Sequence, residues 1–108
     1  MDNIKTLWRA EGYYYEDGKC SIEMWPYRVV KRTPKGVWIV SDTYLYGKEK
    51  FVLLSGRKRY AYPRQEEALE SLLMRKKRQV KIIEWQMKAA NTIIDYIESK
   101  RYKLKERV

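Results

Sequence analysis

Two basic clusters in the middle of the sequence contain the residues best suited to bind an anion. The first, "SGRKRYAY" at 55–62, combines Arg57 and Arg59 with tyrosines, among them Tyr60. The second, "RKKR" at 75–78, follows a short acidic segment. Arginine guanidinium groups match the oxygens of phosphate groups, and aromatic rings stack on nucleobases. These residue types favour a phosphorylated ligand.

The whole chain carries a surplus of positive charge. Lys and Arg number 24 against 14 Asp and Glu, which gives a net charge of +10 over 108 residues. A surplus of this size on a small surface attracts anions such as phosphate. The second cluster also has a simpler interpretation, because a basic run is often only the solvated face of a helix. Taken together, the two clusters and the net charge favour an anionic partner.

The sequence lacks the residues on which most enzyme mechanisms depend. It has no histidine, so the commonest general base near neutral pH and the commonest zinc ligand are both missing. Its five glycines are too widely spaced to form a phosphate-binding loop. We therefore predict a protein that is not an enzyme, with no metal site and no cofactor.

The compartment is predicted from the cysteine content and from the hydrophobic pattern. The one cysteine, Cys20, cannot form an internal disulfide bond. No segment has the uninterrupted apolar core of a signal peptide or of a membrane span. We expect a cytoplasmic protein that does not enter a membrane.

The first half of the chain has the pattern of an antiparallel sheet. Between residues 6 and 62 the apolar residues are mostly β-branched or aromatic, and turn sequences such as "YEDGK" at 15–19 and "RTPKG" at 32–36 recur between them. Because these hairpins are local, we predict a meander of about five strands. Trp8, Trp25, Trp38 and Phe51 lie among the apolar residues of these strands, where such side chains usually belong to the core.

The period changes at Pro63, after which the pattern is helical. One apolar row recurs at spacings of three, four and seven: Leu69, Leu72, Leu73, Val80, Ile83, Met87, Ala90, Ile94 and Ile97. A second row comprises Ile82, Trp85, Ala89, Ile93 and Tyr96. One sheet cannot cover both rows, so we expect a homo-oligomer that forms through the C-terminal helices.

These patterns predict one α+β domain, 1–108, with a sheet at 6–62 and a helical part at 63–105. The helical part is predicted to be one long helix or two helices. The weakest helical segment is "AANTI" at 89–93, because Asn and Thr side chains compete for backbone hydrogen bonds. If the helical part forms two helices, the break between them is expected there.

The predicted elements bring the two basic clusters towards one another. Arg57 and Arg59 would share one face of a strand that is regular after Gly56, and Arg75 and Arg78 would share one side of the helix. A helix that packs back on a sheet could then join these four guanidinium groups in a closed site. A bound diphosphate would offset their mutual repulsion.

The sequence from "KGVWIV" through "KFVLLSGRKRYAYPRQEEALESLLMRKKRQVKIIEWQMKAA" resembles small phage-encoded proteins that have an N-terminal antiparallel sheet and C-terminal helices. Among these it is similar to the Thoeris anti-defence sponge family over about residues 28–90. Members of that family sequester cyclic ADP-ribose-type signals made by bacterial TIR enzymes and do not degrade them, and some hold cyclic oligonucleotides. They are oligomers with ligand sites where subunits meet.

The resemblance implies roles for particular residues. Phe51 would stack on the base, Arg78 would be the principal phosphate contact, and Arg28 and Arg57 would be further contacts. A long loop found in some family members is short here, which affects the base contacts more than the phosphate contacts. With the residues chosen for their chemistry, the predicted ligand-binding set is Arg28, Phe51, Arg57, Arg59, Tyr60, Arg75, Lys77 and Arg78.

Three functions from different classes fit the sequence. The first is a phage anti-defence protein that sequesters a cyclic nucleotide immune signal, of the cyclic ADP-ribose or cyclic oligonucleotide type, in the host cytoplasm. The second is a basic nucleic-acid-binding protein, whose affinity would fall steeply with salt. The third is a protein that inhibits a host defence complex directly, as an anti-CRISPR does. The net charge and the aromatic content suit all three.

Overall fold

The computed structural model describes residues 4–42, 47–56 and 58–104 of the chain. In these residues the chain forms four strands followed by one helix. The strands are β1 (Thr6–Tyr14), β2 (Cys20–Arg32), β3 (Gly36–Ser41) and β4 (Lys50–Leu53), and the helix is α1 (Gln65–Glu98). The predicted α+β fold class is confirmed, with four described strands in place of about five.

The strands form one antiparallel meander in the order β1-β2-β3-β4. The predicted turn at residues 15–19 is confirmed: Gly18 has a φ of +85°, and the Asp17 carboxylate accepts a hydrogen bond from the Lys19 amide at 2.9 Å. The turn between β2 and β3 is also confirmed, with the Thr33 amide donating to the Gly36 carbonyl at 2.8 Å. Local turns of this kind explain why sequence order and sheet order agree.

After β4 the chain returns to the far edge of the sheet. Trp8 and Tyr62 exchange backbone hydrogen bonds of 2.6 and 2.8 Å, so the returning chain meets β1 at its open edge. The described residues between Leu53 and Tyr62 form no strand, and the prediction of a regular fifth strand after Gly56 is therefore wrong. We call the chain from residue 54 to residue 62 the crossing segment. It places Ala61 in the core, where this residue is fully buried.

The main core lies on one face of the sheet, which we call the core face. Its buried side chains are Leu7, Val37, Ile39, Val52 and Ala61, and Ile4, Tyr27, Val29, Leu54 and Tyr60 pack around them. Side chains alternate between the two faces of a strand. Trp38, between Val37 and Ile39, and Phe51, next to Val52, therefore point to the other side of the sheet. We call that other side the second face.

The first turns of α1 pack on part of the second face. Ala68 and Leu72 are buried against Ala10, with Trp8 and Met24 half-buried around them. The Ala68 amide donates to the Arg64 carbonyl at 3.1 Å, so the helix begins just after Pro63, close to the predicted start. Small Ala10 and Ala68 allow the backbones of the strand and the helix to approach closely.

The helix continues through the segment where a break was expected. Of the two predicted alternatives, one long helix is confirmed, because α1 runs without interruption through 89–93 to Glu98. The Thr92 hydroxyl donates to the Lys88 carbonyl at 2.8 Å, so it forms its competing hydrogen bond inside the helix.

The chain divides into two compact units, Met1–Met74 and Arg75–Val108. The first contains the sheet, the crossing segment and the start of α1, and the second contains the rest of α1. The organisation as a single domain stays a prediction. Within the described residues, no helix is both long and apolar enough to cross a bilayer.

Candidate functional site

An aromatic pair on the second face of the sheet is the feature best suited to bind a ligand. Trp38 of β3 lies directly opposite Phe51 of β4, and their ring centroids are 5.3 Å apart with the planes tilted by 57°. Trp38 is half-buried, and Phe51 retains 36% of its accessible surface. Neither ring belongs to the two clusters of buried residues. The pair therefore presents partly exposed aromatic surface to solvent.

A cation extends this pair into a row across three strands. Trp38 has Phe51 of β4 on one side and Lys31 of β2 on the other. The three residues therefore form a row across the sheet. Directly opposed side chains in an antiparallel pair have Cβ atoms about 4.5–5.5 Å apart. Lys31 is exposed. We call Lys31, Trp38 and Phe51 the aromatic row.

A bulge at Val30 brings Arg28 to the same face as the aromatic row. The register of β2 against β3 shifts between Val29 and Lys31, so Arg28 opposes Val40 while Lys31 opposes Trp38. In a regular strand, residues three apart would point to opposite faces. The extra residue in the bulge restores the same face to Arg28 and Lys31, so both cations flank the aromatic pair. Arg28 lies two β3 residues from the row, or about 7 Å along the strand.

The charge of Arg28 is only partly compensated. Its Nε lies 3.4 Å from Oδ1 of Asp42, in an ion pair whose side chains are 62% and 39% exposed. An exposed ion pair of this kind contributes little, about 0–1 kcal/mol. The guanidinium group has five N–H donors, so it can bind a phosphate while Asp42 stays nearby.

Gly36 provides the space in which Phe51 lies. A Cβ atom at Gly36 would collide with the Val52 carbonyl oxygen and would lie 2.8 Å from Cζ of Phe51. Both contacts are closer than a Cβ atom essentially ever comes to a neighbouring atom, so the neighbours would have to shift. The position of the Phe51 ring therefore depends on a glycine one strand away.

Tyr60, another predicted ligand residue, lies in a different environment on the core face. The Arg9 guanidinium is 4.2 Å from its ring centroid and Lys50 Nζ is 3.6 Å from it. Its hydroxyl is 2.9 Å from that of Tyr27, and its carbonyl accepts a hydrogen bond from Arg9 Nη1 at 2.8 Å. These contacts give Tyr60 a packing role, and its contact with a ligand stays a prediction.

The same contacts affect the acidity of Tyr27. Burial raises the pKa of the Tyr27 hydroxyl well above its ordinary value, and the hydrogen bond to Tyr60 raises it further. The Tyr27 hydroxyl therefore stays neutral across the physiological range. The two tyrosines join the crossing segment to β2 as a polar link at the edge of the core.

Arg59 of the first basic cluster makes contacts within its own segment of the chain. Arg59 is half-buried, its Nε donates to the Gly56 carbonyl at 2.9 Å, and its guanidinium carbon lies 5.9 Å from the Tyr62 ring. Arg57 lies outside the described residues. Arg59 thus helps to shape the crossing segment.

The second basic cluster lies at the start of the second unit. Lys77 and Arg78 are exposed on α1, and Arg75 is half-buried. The two basic clusters belong to different units, so a closed site formed by guanidinium groups of both clusters stays a prediction. Of the predicted set, the structure brings Arg28 and Phe51 to one face of the sheet.

Two residues of this surface were missed in the sequence. Trp38 was assigned to the core, yet it lies between buried Val37 and Ile39 and so points to the second face. Lys31 was missed because its face depends on the bulge at Val30. The alternation in "GVWIVS" could have revealed Trp38, whereas nothing in "YRVVKR" indicates a bulge.

Metal chemistry and known relatives add no further residues to the site. In the described ranges, no three His, Cys, Asp or Glu side chains gather where they could hold a metal ion. Comparisons with protein-family models, with curated proteins and with solved structures find no match to this chain.

Proposed function

We propose that this protein binds a nucleotide without transforming it, and that it sequesters a cyclic nucleotide immune signal. The observation that carries the proposal is the partly exposed Trp38–Phe51 pair, with Lys31 and Arg28 beside it on the same face. The base stacks on the aromatic pair, and the two cations bind phosphates.

Physical chemistry supports this division of roles. Stacking of a base on an aromatic side chain is worth about 1–3 kcal/mol and tolerates any base. The diagonal spacing of about 7–8 Å between Arg28 and Trp38 leaves room for the sugar that joins a base to its phosphate. Charged hydrogen bonds to phosphate are the strong kind, and arginine forms them in pairs.

The class of ligand comes from the resemblance to the anti-defence sponge proteins. It suggests a cyclic ADP-ribose-type signal or a cyclic oligonucleotide, bound in the cytoplasm of a host cell that a phage has entered. Such a ligand combines bases with closely spaced phosphates, and the proposed site has residues for both. No catalytic step is assigned to any residue, so the ligand should be released chemically unchanged.

Single-stranded nucleic acid is a second candidate ligand. The aromatic row lies on an open sheet face, as in proteins that stack successive bases of a single strand. Lys31 and Arg28 on the same face would then bind the phosphates of the single strand. This function predicts that affinity rises with the number of nucleotides, whereas a signal-binding protein prefers the cyclic ligand.

The test is calorimetry with cyclic ADP-ribose isomers, cyclic dinucleotides and a series of thymidine oligonucleotides. Phe51→Leu removes the aromatic ring but keeps an apolar side chain, so we expect binding to weaken by about 1–3 kcal/mol, or roughly 5- to 150-fold. The ligand recovered from denatured protein should be intact by mass spectrometry.

The matched control is Leu53→Ala. Leu53 lies two residues from Phe51 on the same strand, is 50% exposed and has no ring, so its truncation should leave affinity unchanged. Equal losses in both variants would contradict stacking on Phe51. Affinity that grows with oligonucleotide length, without binding of cyclic ligands, would favour the second candidate.

A further inference from the structure

The second unit exposes a regular apolar seam on α1. Its residues recur at spacings of three and four: Val80, Ile83, Met87, Ala90, Ile94 and Ile97. Of these, Val80, Ile83, Met87, Ile94 and Ile97 are between 48% and 61% exposed. We propose that this seam pairs with the same seam of a second copy of the chain, and that the two helices run antiparallel.

The spacing of the seam is that of a coiled coil. Apolar residues that alternate at three and four along a helix form a narrow stripe, which packs knobs-into-holes against a like stripe. An exposed stripe of this regularity on a soluble protein marks an interaction surface. A second copy of the chain has a stripe of the same length and period.

The side chains of the seam fit an antiparallel partner in one register. With Val80 of one copy opposite Ile97 of the other, Ile83 meets Ile94 and Met87 meets Ala90. Each layer then repeats by symmetry at the other end of the pair. The long Met87 side chain always faces the small Ala90, and branched side chains fill the remaining layers.

The charges beside the seam also favour this direction. Lys77 and Glu98 flank the seam on the same side, three heptads apart. In the antiparallel register, Lys77 of each copy lies near Glu98 of the other, which forms two pairs of opposite charge. The chain turns away after Glu98, because Lys100 has a positive φ of 56°.

A parallel pair would place like charges together. Residues 75–78 contain only Arg and Lys, and in a parallel pair this cluster would lie beside its own copy. Lys76 continues the seam spacing before Val80, so it would meet Lys76 of the second copy directly. Charge repulsion therefore disfavours the parallel arrangement.

The second apolar row lies on a different side of the helix. Ile82, Trp85, Ile93 and Tyr96 are 51–70% exposed. None of them falls in the seam, so antiparallel pairing through the seam does not depend on what covers this row.

The orientation is tested by cross-linking in a Cys20→Ser background, which removes the exposed native thiol. Val80→Cys and Ile97→Cys are prepared separately and treated with a short bis-maleimide, alone and after mixing. In the antiparallel pair, two copies of residue 80 are about 25 Å apart. We therefore expect covalent dimers in the mixture and none with either variant alone.

The matched control is a mixture of Lys81→Cys and Asp95→Cys. These residues lie at nearly the same heights in the proposed pair but on the polar side of the helix, so they should not cross-link. Light scattering of the unmodified protein should give at least a dimer at micromolar concentration. A monomer, dimers from one cysteine variant alone, or no dimers in the Val80→Cys and Ile97→Cys mixture would overturn the proposal.

Discussion

At the scale of single residues, Arg28 shows how a nearby carboxylate can adjust an anion site. Asp42 holds Arg28 at 3.4 Å, and the Asp42 amide donates to the Pro26 carbonyl at 3.2 Å, which fixes this residue beside β2. A phosphate that binds Arg28 must share the guanidinium with Asp42. The carboxylate therefore repels the proposed ligand while it orients the arginine.

Asp42→Asn should strengthen the binding of a cyclic dinucleotide. The substitution removes the competing negative charge and keeps a side chain of nearly the same shape. We expect affinity to rise by roughly two- to fivefold, because an exposed ion pair is worth at most about 1 kcal/mol. Calorimetry at low ionic strength is the measurement, since salt screens surface charges.

Asp17→Asn is the control for the change in net charge. Asp17 lies in the turn before Cys20, and Cys20 and Arg28 are about 26 Å apart along β2, well beyond the screening length of about 8 Å in physiological salt. Its amide oxygen can still accept the hydrogen bond from Lys19. Equal effects of the two variants would show that Asp42 acts only through net charge.

The residue scale also shows where prediction from sequence reached the site and where it stopped. Arg28 and Phe51 were both predicted through the resemblance, and they lie on one face because strand parity and a bulge bring them there. Tyr60 was predicted for its chemistry, but its ring faces the core between Arg9 and Lys50. Composition identifies the residues that can bind a nucleotide; the face on which they lie depends on register.

At the scale of elements, the sequence predicted the sheet and the helix from their periods. The strands and turns up to Gly36 follow from local patterns. The segment after β4 does not, because Ala61 is drawn into the core and Tyr62 pairs with Trp8, a contact across more than fifty residues. Such a long-range contact overrides the local preference for a strand.

The helix shows why a weak local signal did not decide between the two predicted alternatives. Asn91 and Thr92 have poor helical propensity, but the cost is a fraction of a kcal/mol per residue. Thr92 recovers part of it through its hydrogen bond to Lys88. Ala89 and Ala90, which directly precede Asn91, are the best helix formers.

Gly36→Ala should destabilise the sheet and displace Phe51. The added methyl group would collide with the Val52 carbonyl oxygen and with the Phe51 ring, and backbone atoms cannot move aside easily. We expect a loss of about 1–3 kcal/mol in the free energy of unfolding. Urea denaturation measures this loss, and calorimetry should show weaker nucleotide binding.

Gly56→Ala is the matched control for this substitution. A Cβ atom there would make only ordinary contacts, at 3.7 Å to the Lys58 carbonyl oxygen and 3.9 Å to Cβ of Leu53. Its effect should be small, or slightly stabilising because the unfolded chain loses freedom. If both variants were equally stable, the close approach at Gly36 would be unimportant.

At the scale of the whole molecule, the net charge of +10 raises affinity for every polyanion. Charge alone therefore cannot distinguish a small cyclic ligand from a nucleic acid. The number of phosphates that bind at once can distinguish them, because each phosphate contact releases counterions and adds to the dependence of affinity on salt.

The dependence on salt, measured with two variants, separates the ligands. We expect a cyclic dinucleotide to show a shallow slope of log affinity against log salt, of about one to two, since it has two phosphates. Arg28→Ala should lower that slope by about one and weaken binding by about 1.5–3 kcal/mol, because Arg28 donates a charged hydrogen bond to phosphate in the proposed site. Lys19→Ala removes the same charge from the same unit, in the turn before Cys20, and should change neither quantity. Two results would instead identify a nucleic-acid-binding protein: steep slopes that increase with oligonucleotide length, and equal small losses of affinity in both variants. The cations would then act only as a diffuse positive surface.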